Sequence, residues 1–313
     1  MRLIEEYRRY MPRRLNSLLK GRRGEFQSTI EKSIRVPNLP ISRPKPGTVW
    51  AVSMVRNEED VVDVTVRHLL DQAIDGVIIV DNLSSDATPD ILSDLARNSL
   101  VHVGRDVEPA YYQGEKMSFL AHLAWRAGAE WIVPFDADEH WYAPDSSLGN
   151  YLRTCEAPVQ RATMHDVLPV PGNKRLEFAE GATVRVDRTP SSYVKVAFRA
   201  ESDANILTGN HEVTRAGKRA EGLHLLHYQW RSEAQLVRKV RQGAAAIRDA
   251  TKHGGIGLHW TSMDQLDTED LAGRWRLLLE GGGGTPDEPP RELVDVESPW
   301  LRWRTWDPQD VVD

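Results

Sequence analysis

The sequence predicts an α/β fold in which a mostly parallel, Rossmann-like sheet is flanked by helices. Two apolar runs of strand length, residues 49–55 and 76–80, are typical of parallel strands buried on both faces. Shorter apolar runs follow at 100–103 and 131–135. Segments with helical periodicity separate these runs, at residues 58–73, 88–98 and 115–128. Alternation at this spacing favours βαβ units.

Composition restricts the class of protein. The chain has 313 residues, 40% hydrophobic and 27% charged, as in a folded globular protein. We expect no membrane-spanning helix, because no apolar run reaches ~18 residues, and no secretory leader, because the N-terminus is charged from Arg2. The single cysteine, Cys155, cannot form an internal disulfide or a thiolate zinc site, so a cytoplasmic location is the default expectation.

Charge is unevenly distributed along the chain. The net charge is −6, yet residues 1–24 hold eight arginine and lysine residues against two glutamates. The remainder is therefore strongly acidic, which argues against a nucleic-acid-binding protein.

Composition and pattern divide the chain into four regions. After residue 160 the strand-like segments become shorter, and residues 232–250 are predicted to form a long helix. The predicted regions are a basic arm with a proline-rich connector over 1–46, a catalytic domain over 47–235, a helical C-terminal extension over 236–280, and a glycine-rich linker with a tryptophan-containing tail over 281–313.

Polar residues follow three of the predicted strands, where ligands of parallel sheets bind. Asp136 and Asp138 come directly after the run 131–135. Two carboxylates at this spacing can reach one hard cation such as Mg²⁺ or Mn²⁺, although acidic pairs are also common in surface turns. The stretch from Asp81 to Asp86 can hydrogen-bond a ribose or a base, and a loop with a helix cap is the alternative explanation.

In their order and spacing, these motifs resemble family 2 glycosyltransferases with the GT-A fold. The resemblance rests on Val52–Glu59, Val80–Asp86 and Asp136–Glu139. Gly209–Val213, and Leu226–Ser232 followed by Lys239, are similar to a bacterial subgroup of that family. The resemblance covers about residues 48–245.

The resemblance implies a UDP- or GDP-sugar donor, Mn²⁺ or Mg²⁺ as cofactor, and transfer with inversion. It makes Asp138 the direct metal ligand, His227 a third ligand, and Asp136 a ligand of the ribose or, through water, of the metal. The predicted nucleotide-sugar contacts are Asn57, Glu58, Asp81, Ser84, Lys116, Asp136, Arg231 and Lys239, with Lys195 as a further candidate.

The acceptor hydroxyl needs a base on the acceptor side. Glu212 is the predicted base, and His211 beside it is the competing candidate.

Two other functions compete with sugar transfer. A sugar nucleotidyltransferase would share the sheet and the carboxylates, but its glycine-rich phosphate loop is missing from residues 54–59. A non-catalytic sugar-binding protein on the same fold is the second alternative, and the paired carboxylates speak against it.

The resemblance also implies a glycan or a lipid-linked acceptor, and hence a location at the inner face of the cell membrane. The arm of residues 1–24 mixes arginines with leucines, and such segments can bind anionic membrane surfaces. Packing of the arm on the acidic body, or against a second copy, is the alternative. Trp300, Trp303 and Trp306 allow the same two interpretations.

Overall fold

A computed structural model describes residues 29–178, 182–249, 265–282 and 291–297. The predicted basic arm of residues 1–24 and the three C-terminal tryptophans lie outside the described residues. No helix in the described ranges is both long enough and apolar enough to cross a bilayer.

The first half of the fold is the predicted series of alternating strands and helices. Its elements are β1 (Ile34–Arg35), β2 (Val49–Val55), α1 (Val62–Asp71), β3 (Gly76–Asn82), α2 (Thr88–Leu95), β4 (Val101–Asp106), α3 (Gln113–Ala127) and β5 (Trp131–Pro134). Strand β2 has the predicted bounds, and Gly128, with φ of 109°, ends α3 as predicted. Glycine suits that left-handed position because it has no side chain to clash.

The second half of the fold extends the sheet with strands of 4 to 11 residues. Its elements are β6 (Glu139–Tyr142), α4 (Leu148–Thr154), β7 (Val159–Pro169), β8 (Thr183–Asp187), β9 (Val194–Arg199), a 3₁₀ turn (Thr208–Asn210), β10 (Arg219–His227), α5 (Glu233–Asp249), α6 (Thr268–Leu279) and β11 (Leu293–Glu297). Helix α5 runs across the predicted boundary between residues 235 and 236.

The strands form one mixed sheet in the order β1-β4-β3-β2-β5-β9-β7-β10-β6, and β8 joins β7 to β11. Strands β4, β3, β2 and β5 are parallel, and β9 turns the sheet antiparallel. The predicted α/β class, a mixed sheet flanked by helices, is therefore confirmed. Strand β11 lies in the segment 281–313, which was predicted to be a linker and tail, and it pairs with β8.

The core lies on both faces of the sheet. Alternate residues of β3 point in opposite directions, so Val77 and Ile79 pack in one apolar cluster and Ile78 and Val80 in the other. All four side chains are fully buried, and each contributes on the order of 2 kcal/mol to folding. The continuous apolar composition of β3 follows from this burial on two sides.

Candidate active site

The Asp136-Ala137-Asp138 motif links β5 to β6 at the edge of the sheet where β2 and β3 also end. Three side chains donate hydrogen bonds to the Asp136 carboxylate. The donors are Gln113 Nε2 at 3.1 Å, Asn210 Nδ2 at 3.1 Å and Lys195 Nζ at 2.6 Å. Asp136 is therefore fixed by groups from α3, the 3₁₀ turn and β9.

Glu139 and Lys195 form a buried pair directly behind Asp136. Lys195 Nζ lies 2.6 Å from Glu139 Oε1, and the Asp136 backbone N–H donates to Glu139 Oε2 at 3.1 Å. Burial raises the pKa of Glu139 to about 7 although Lys195 opposes this shift. Burial opposes the charge of Lys195, but Asp136 and Glu139 outweigh it and raise the pKa of the lysine. The pair holds both the turn and Asp136 in place.

Asp138 is 3% exposed and lies among cationic groups. Its Oδ2 accepts a hydrogen bond from the Lys239 ammonium, and Arg231 Nη1 lies 3.6 Å away. Burial alone would raise the pKa of Asp138, but Lys239, His227 and Arg231 outweigh burial and hold that pKa below its ordinary value. Asp138 is therefore an ionised carboxylate at neutral pH.

His227, at the end of β10, faces Asp138. Its Nε2 lies 4.0 Å from Asp138 Oδ2, and its Nδ1 lies 2.8 Å from Asp166 Oδ1. An ionised carboxylate can only accept, so Nδ1 carries the proton in this contact. Burial opposes the charge of His227, but the hydrogen bond to Asp166 and the charge of Asp138 outweigh burial and raise the pKa of the imidazole. In the deprotonated imidazole, Nε2 has the lone pair directed toward Asp138, the arrangement typical of metal-ligating histidines.

The residues around Asp138 fit a divalent metal only in part. Two ligands at ~2.1 Å from one ion can lie up to ~4.2 Å apart, which accommodates the 4.0 Å between Asp138 Oδ2 and His227 Nε2. Among the described residues, no group of three or more His, Cys, Asp and Glu side chains is arranged to hold an ion. A metal bound here would therefore take most of its ligands from water or substrate oxygens.

The loops after β2 and β3 are joined by hydrogen bonds. The Asn57 backbone N–H donates to Ser84 Oγ at 2.9 Å, and the Ser85 N–H donates to Asn57 Oδ1 at 2.7 Å. The Ser84 N–H points to Asp81 Oδ1 at 3.3 Å. Asn57 has φ of 56°, a left-handed conformation that asparagine tolerates. Three of the predicted nucleotide-sugar contacts, Asn57, Asp81 and Ser84, therefore lie together.

Arg231 lies in a different environment from the predicted diphosphate contact. Its side chain is 1% exposed and forms ion pairs with Glu58 and, at 2.8 Å, with Asp60 Oδ2. It also donates to the Tyr228 carbonyl at 3.0 Å. The guanidinium group therefore links the loop after β2 to the segment after β10. Glu58, also predicted to contact the nucleotide sugar, forms an ion pair with Arg231 instead.

Lys116 is also buried, and its ammonium group is paired within the protein. Its Nζ lies 2.6 Å from Asp106 Oδ2 and donates to the Glu108 carbonyl at 2.6 Å. Burial lowers the pKa of Lys116, and Asp106 opposes that shift. Asn82 also donates to Asp106, at 2.8 Å. Lys116 thus stabilises the end of β4.

The two predicted bases, His211 and Glu212, are adjacent in the chain but have different partners. His211 Nδ1 donates to the Val194 carbonyl at 2.8 Å, and its ring contacts the Tyr193 ring at a tilt of 30°. Burial and the nearby Lys195 lower the pKa of His211 to about 4, so its imidazole is neutral at pH 7. Gly209 has φ of 84°, and a Cβ atom there would lie 2.4 Å from the His211 ring. Glycine is therefore needed beside the imidazole.

Glu212 points away from this imidazole. Its carboxylate pairs with Arg161 at 3.1 Å and with Arg219 at 3.0 Å, and also accepts from the Val213 N–H. Both carboxylate oxygens of Glu212 are thus engaged by cations on β7 and β10.

Sequence reasoning missed Gln113, Asp60, Asp166 and Arg291. Each is a single polar residue outside any recognised motif, and its partner is distant in sequence. Asp166 and Arg291, for example, are in contact at 2.6 Å. One local signal was available, since the alternating pattern of residues 293–296 is typical of a strand and indicates that this segment pairs with the sheet.

Comparison with known proteins finds a family match over part of the chain and a set of remote structural neighbours. Residues 51–158 match the family described as Glycosyl transferase family 2. No curated protein matches the chain. The S. aureus TarS fragment 1-349 in complex with UDP is 13% identical, over 75% of this chain and 71% of that chain, with a TM-score of 0.37.

Two other neighbours are similarly remote. HddC from Yersinia pseudotuberculosis is 10% identical over 57% of this chain and 92% of that chain, with a TM-score of 0.36. A mycobacterial protein is 12% identical over 66% and 76% of the two chains, with a TM-score of 0.33. Similarity at this level carries no inference about substrates.

Proposed function

We propose that the enzyme transfers a sugar from a nucleoside diphosphate sugar to an acceptor hydroxyl group, with inversion and with Mn²⁺ or Mg²⁺ as cofactor. The match of residues 51–158 to Glycosyl transferase family 2 supports this proposal. The observation that carries this proposal is the ionised Asp138, buried at the sheet edge with His227 Nε2 turned toward it. The loops of Asn57, Asp81 and Ser84 meet at the same edge and offer polar groups to the nucleoside.

The proposed metal ligands are Asp138 and His227. A divalent ion held there would supply positive charge to the leaving diphosphate, as the developing negative charge requires. Asp136 is proposed to bind the donor ribose, since its carboxylate is already oriented by Gln113, Asn210 and Lys195.

Lys239 is the proposed diphosphate contact. Its side chain is 23% exposed, and Asp138 is its partner in this structure. With Asp138 bound to a divalent ion, the ammonium group of Lys239 would be free to pair with a phosphate oxygen. Lys116 and Arg231 are left out of this role because each is buried and already paired with a carboxylate of the protein.

Of the two predicted bases, the contacts favour His211. It is the neighbour of Asn210, which bonds Asp136, and its neutral imidazole is in the protonation state that a base requires. Glu212 would first have to leave Arg161 and Arg219.

The test of donor binding is a thermal-shift screen of UDP, GDP and other nucleoside diphosphates, with and without Mn²⁺. A ligand at 100 times its Kd stabilises the folded state by ~2.7 kcal/mol, so a true donor nucleotide gives a clear shift. We expect one nucleotide to stabilise the protein, more strongly with Mn²⁺. No shift with any nucleotide would contradict the proposal.

We further propose a glycan or lipid-linked acceptor, with the enzyme at the inner membrane surface through the basic residues of segment 1–24. Each arginine or lysine near an anionic membrane surface contributes ~1 kcal/mol to binding. Vesicles containing phosphatidylserine should sediment the full chain and not a chain that lacks residues 1–24. Equal sedimentation of both chains would remove the arm from this role.

A further inference from the structure

We propose that Asp166 and Arg291 are positioning residues, which hold His227 with its Nε2 turned toward Asp138. This inference deepens the proposed function and depends on it for the role of His227. Asp166 Oδ1 lies 2.8 Å from His227 Nδ1, and Asp166 Oδ2 lies 2.6 Å from Arg291 Nη1. Each carboxylate oxygen therefore has its own partner, and the carboxylate cannot rotate without breaking one of the two contacts.

Strand register places the carboxylate beside the imidazole. Strands β7 and β10 are parallel neighbours, and His227 is the partner of Asp166 in their ladder. Side chains of paired residues lie on the same face of a sheet, close enough to interact. Since the carboxylate accepts the Nδ1 proton, deprotonation of the imidazole leaves the lone pair on Nε2, which faces Asp138 at 4.0 Å.

The second positioning residue, Arg291, comes from the segment just before the C-terminal strand. Arg291 precedes β11, which pairs with β8, and its Nη1 also lies 3.4 Å from Asp187 Oδ2 at the end of β8. The arginine thus bridges carboxylates on β7 and β8. The segment expected to be only a linker and tail thereby supplies a group that orients a candidate metal ligand.

Neither residue touches the proposed reacting atoms, so their effect passes through His227. Without the Asp166 carboxylate, the imidazole can adopt the other tautomer and turn its Nε2–H toward Asp138. Loss of such an outer partner of a metal ligand typically weakens metal binding 10–100-fold.

The experiment uses the full chain and the substitutions Asp166→Asn and Arg291→Gln. The tautomer of His227 is read from imidazole ¹⁵N NMR shifts in metal-free protein, at a pH above the raised pKa of His227, and Mn²⁺ affinity is measured by calorimetry. Arg185→Gln is the matched control, because Arg185 pairs with Asp295 at 2.7 Å across the same strands, β8 and β11, without touching Asp166.

We expect the Nδ1–H tautomer in the wild type and its loss in Asp166→Asn, with Mn²⁺ binding ~10–100-fold weaker. Arg291→Gln should weaken Mn²⁺ binding less, and Arg185→Gln should leave both readouts unchanged. A wild-type His227 in the Nε2–H form would overturn the proposal. So would an Arg185→Gln protein that loses Mn²⁺ affinity as much as Arg291→Gln does.

The tautomer is measured without metal, so it decides the positioning claim separately from the proposed function. A wild type that keeps the Nδ1–H tautomer but binds no Mn²⁺ would confirm the positioning and contradict His227 as a metal ligand. If Asp166→Asn does not fold, two results still test whether Asp166 and Arg291 position His227. They are the wild-type tautomer and the difference in Mn²⁺ affinity between Arg291→Gln and Arg185→Gln.

Discussion

Replacing Arg231 with glutamine distinguishes a structural role from a substrate-binding role. The substitution removes the cation that pairs with Glu58 and Asp60, whose side chains are 15% and 35% exposed. Breaking a buried ion pair by removing one partner typically costs 3–5 kcal/mol. We expect a loss of ~3 kcal/mol, at the low end of that range, because water reaches Asp60 and screens it.

The measurement is the thermal unfolding midpoint, with a surface pair as control. For a domain of this size, ~3 kcal/mol corresponds to a fall of ~6–12 °C in Tm. Arg67→Gln removes the ion pair with Asp63, whose partners are 65% and 41% exposed, and should lower Tm by only ~1–2 °C. An Arg231→Gln protein with normal Tm but lost nucleotide binding would refute this reasoning and restore Arg231 as a diphosphate ligand.

Two further predictions concern histidines. His211→Ala should lower turnover by ~10²–10⁴-fold with donor binding retained, and Glu212→Gln should change turnover much less; the reverse result in steady-state kinetics would make Glu212 the base. Burial lowers the pKa of His68 from 6.5 to about 4, so its contribution to stability is complete above pH 6.5 and is lost as the pH falls toward 4. The loss is about 3 kcal/mol, and His68→Gln, followed by denaturant unfolding between pH 4 and 7, should show a correspondingly weaker dependence on pH.

The sequence was sufficient to predict the central sheet because its strands are buried on both faces. Such strands are continuous apolar runs, so β2 and β3 are visible without knowledge of their neighbours. Strand β6 was missed because it begins with Glu139 and His140, two polar residues that are fully buried. Their burial depends on partners such as Lys195, which lies on β9 and is distant in the chain.

The position of the candidate site in the fold could be predicted from the sequence, but the ion pairs of its charged residues could not. The Asp136 and Asp138 pair lies at the edge of the sheet, as its position after a buried strand indicated. Lys116 and Arg231 carry the charge that a diphosphate needs, but Asp106, Glu58 and Asp60 already neutralise that charge. A single sequence does not reveal such long-range pairing.

The most direct test of sugar transfer is the hydrolysis of nucleotide sugars by the wild type and by Asp138→Asn, each with and without Mn²⁺. The wild type should release the nucleotide that stabilised it in the thermal screen, in a reaction that depends on Mn²⁺. Asp138→Asn should fold normally and hydrolyse the donor ~10²–10³-fold more slowly, in line with the loss of charge stabilisation at the leaving group. Hydrolysis by Asp138→Asn at the wild-type rate, with unchanged Mn²⁺ dependence, would contradict the account.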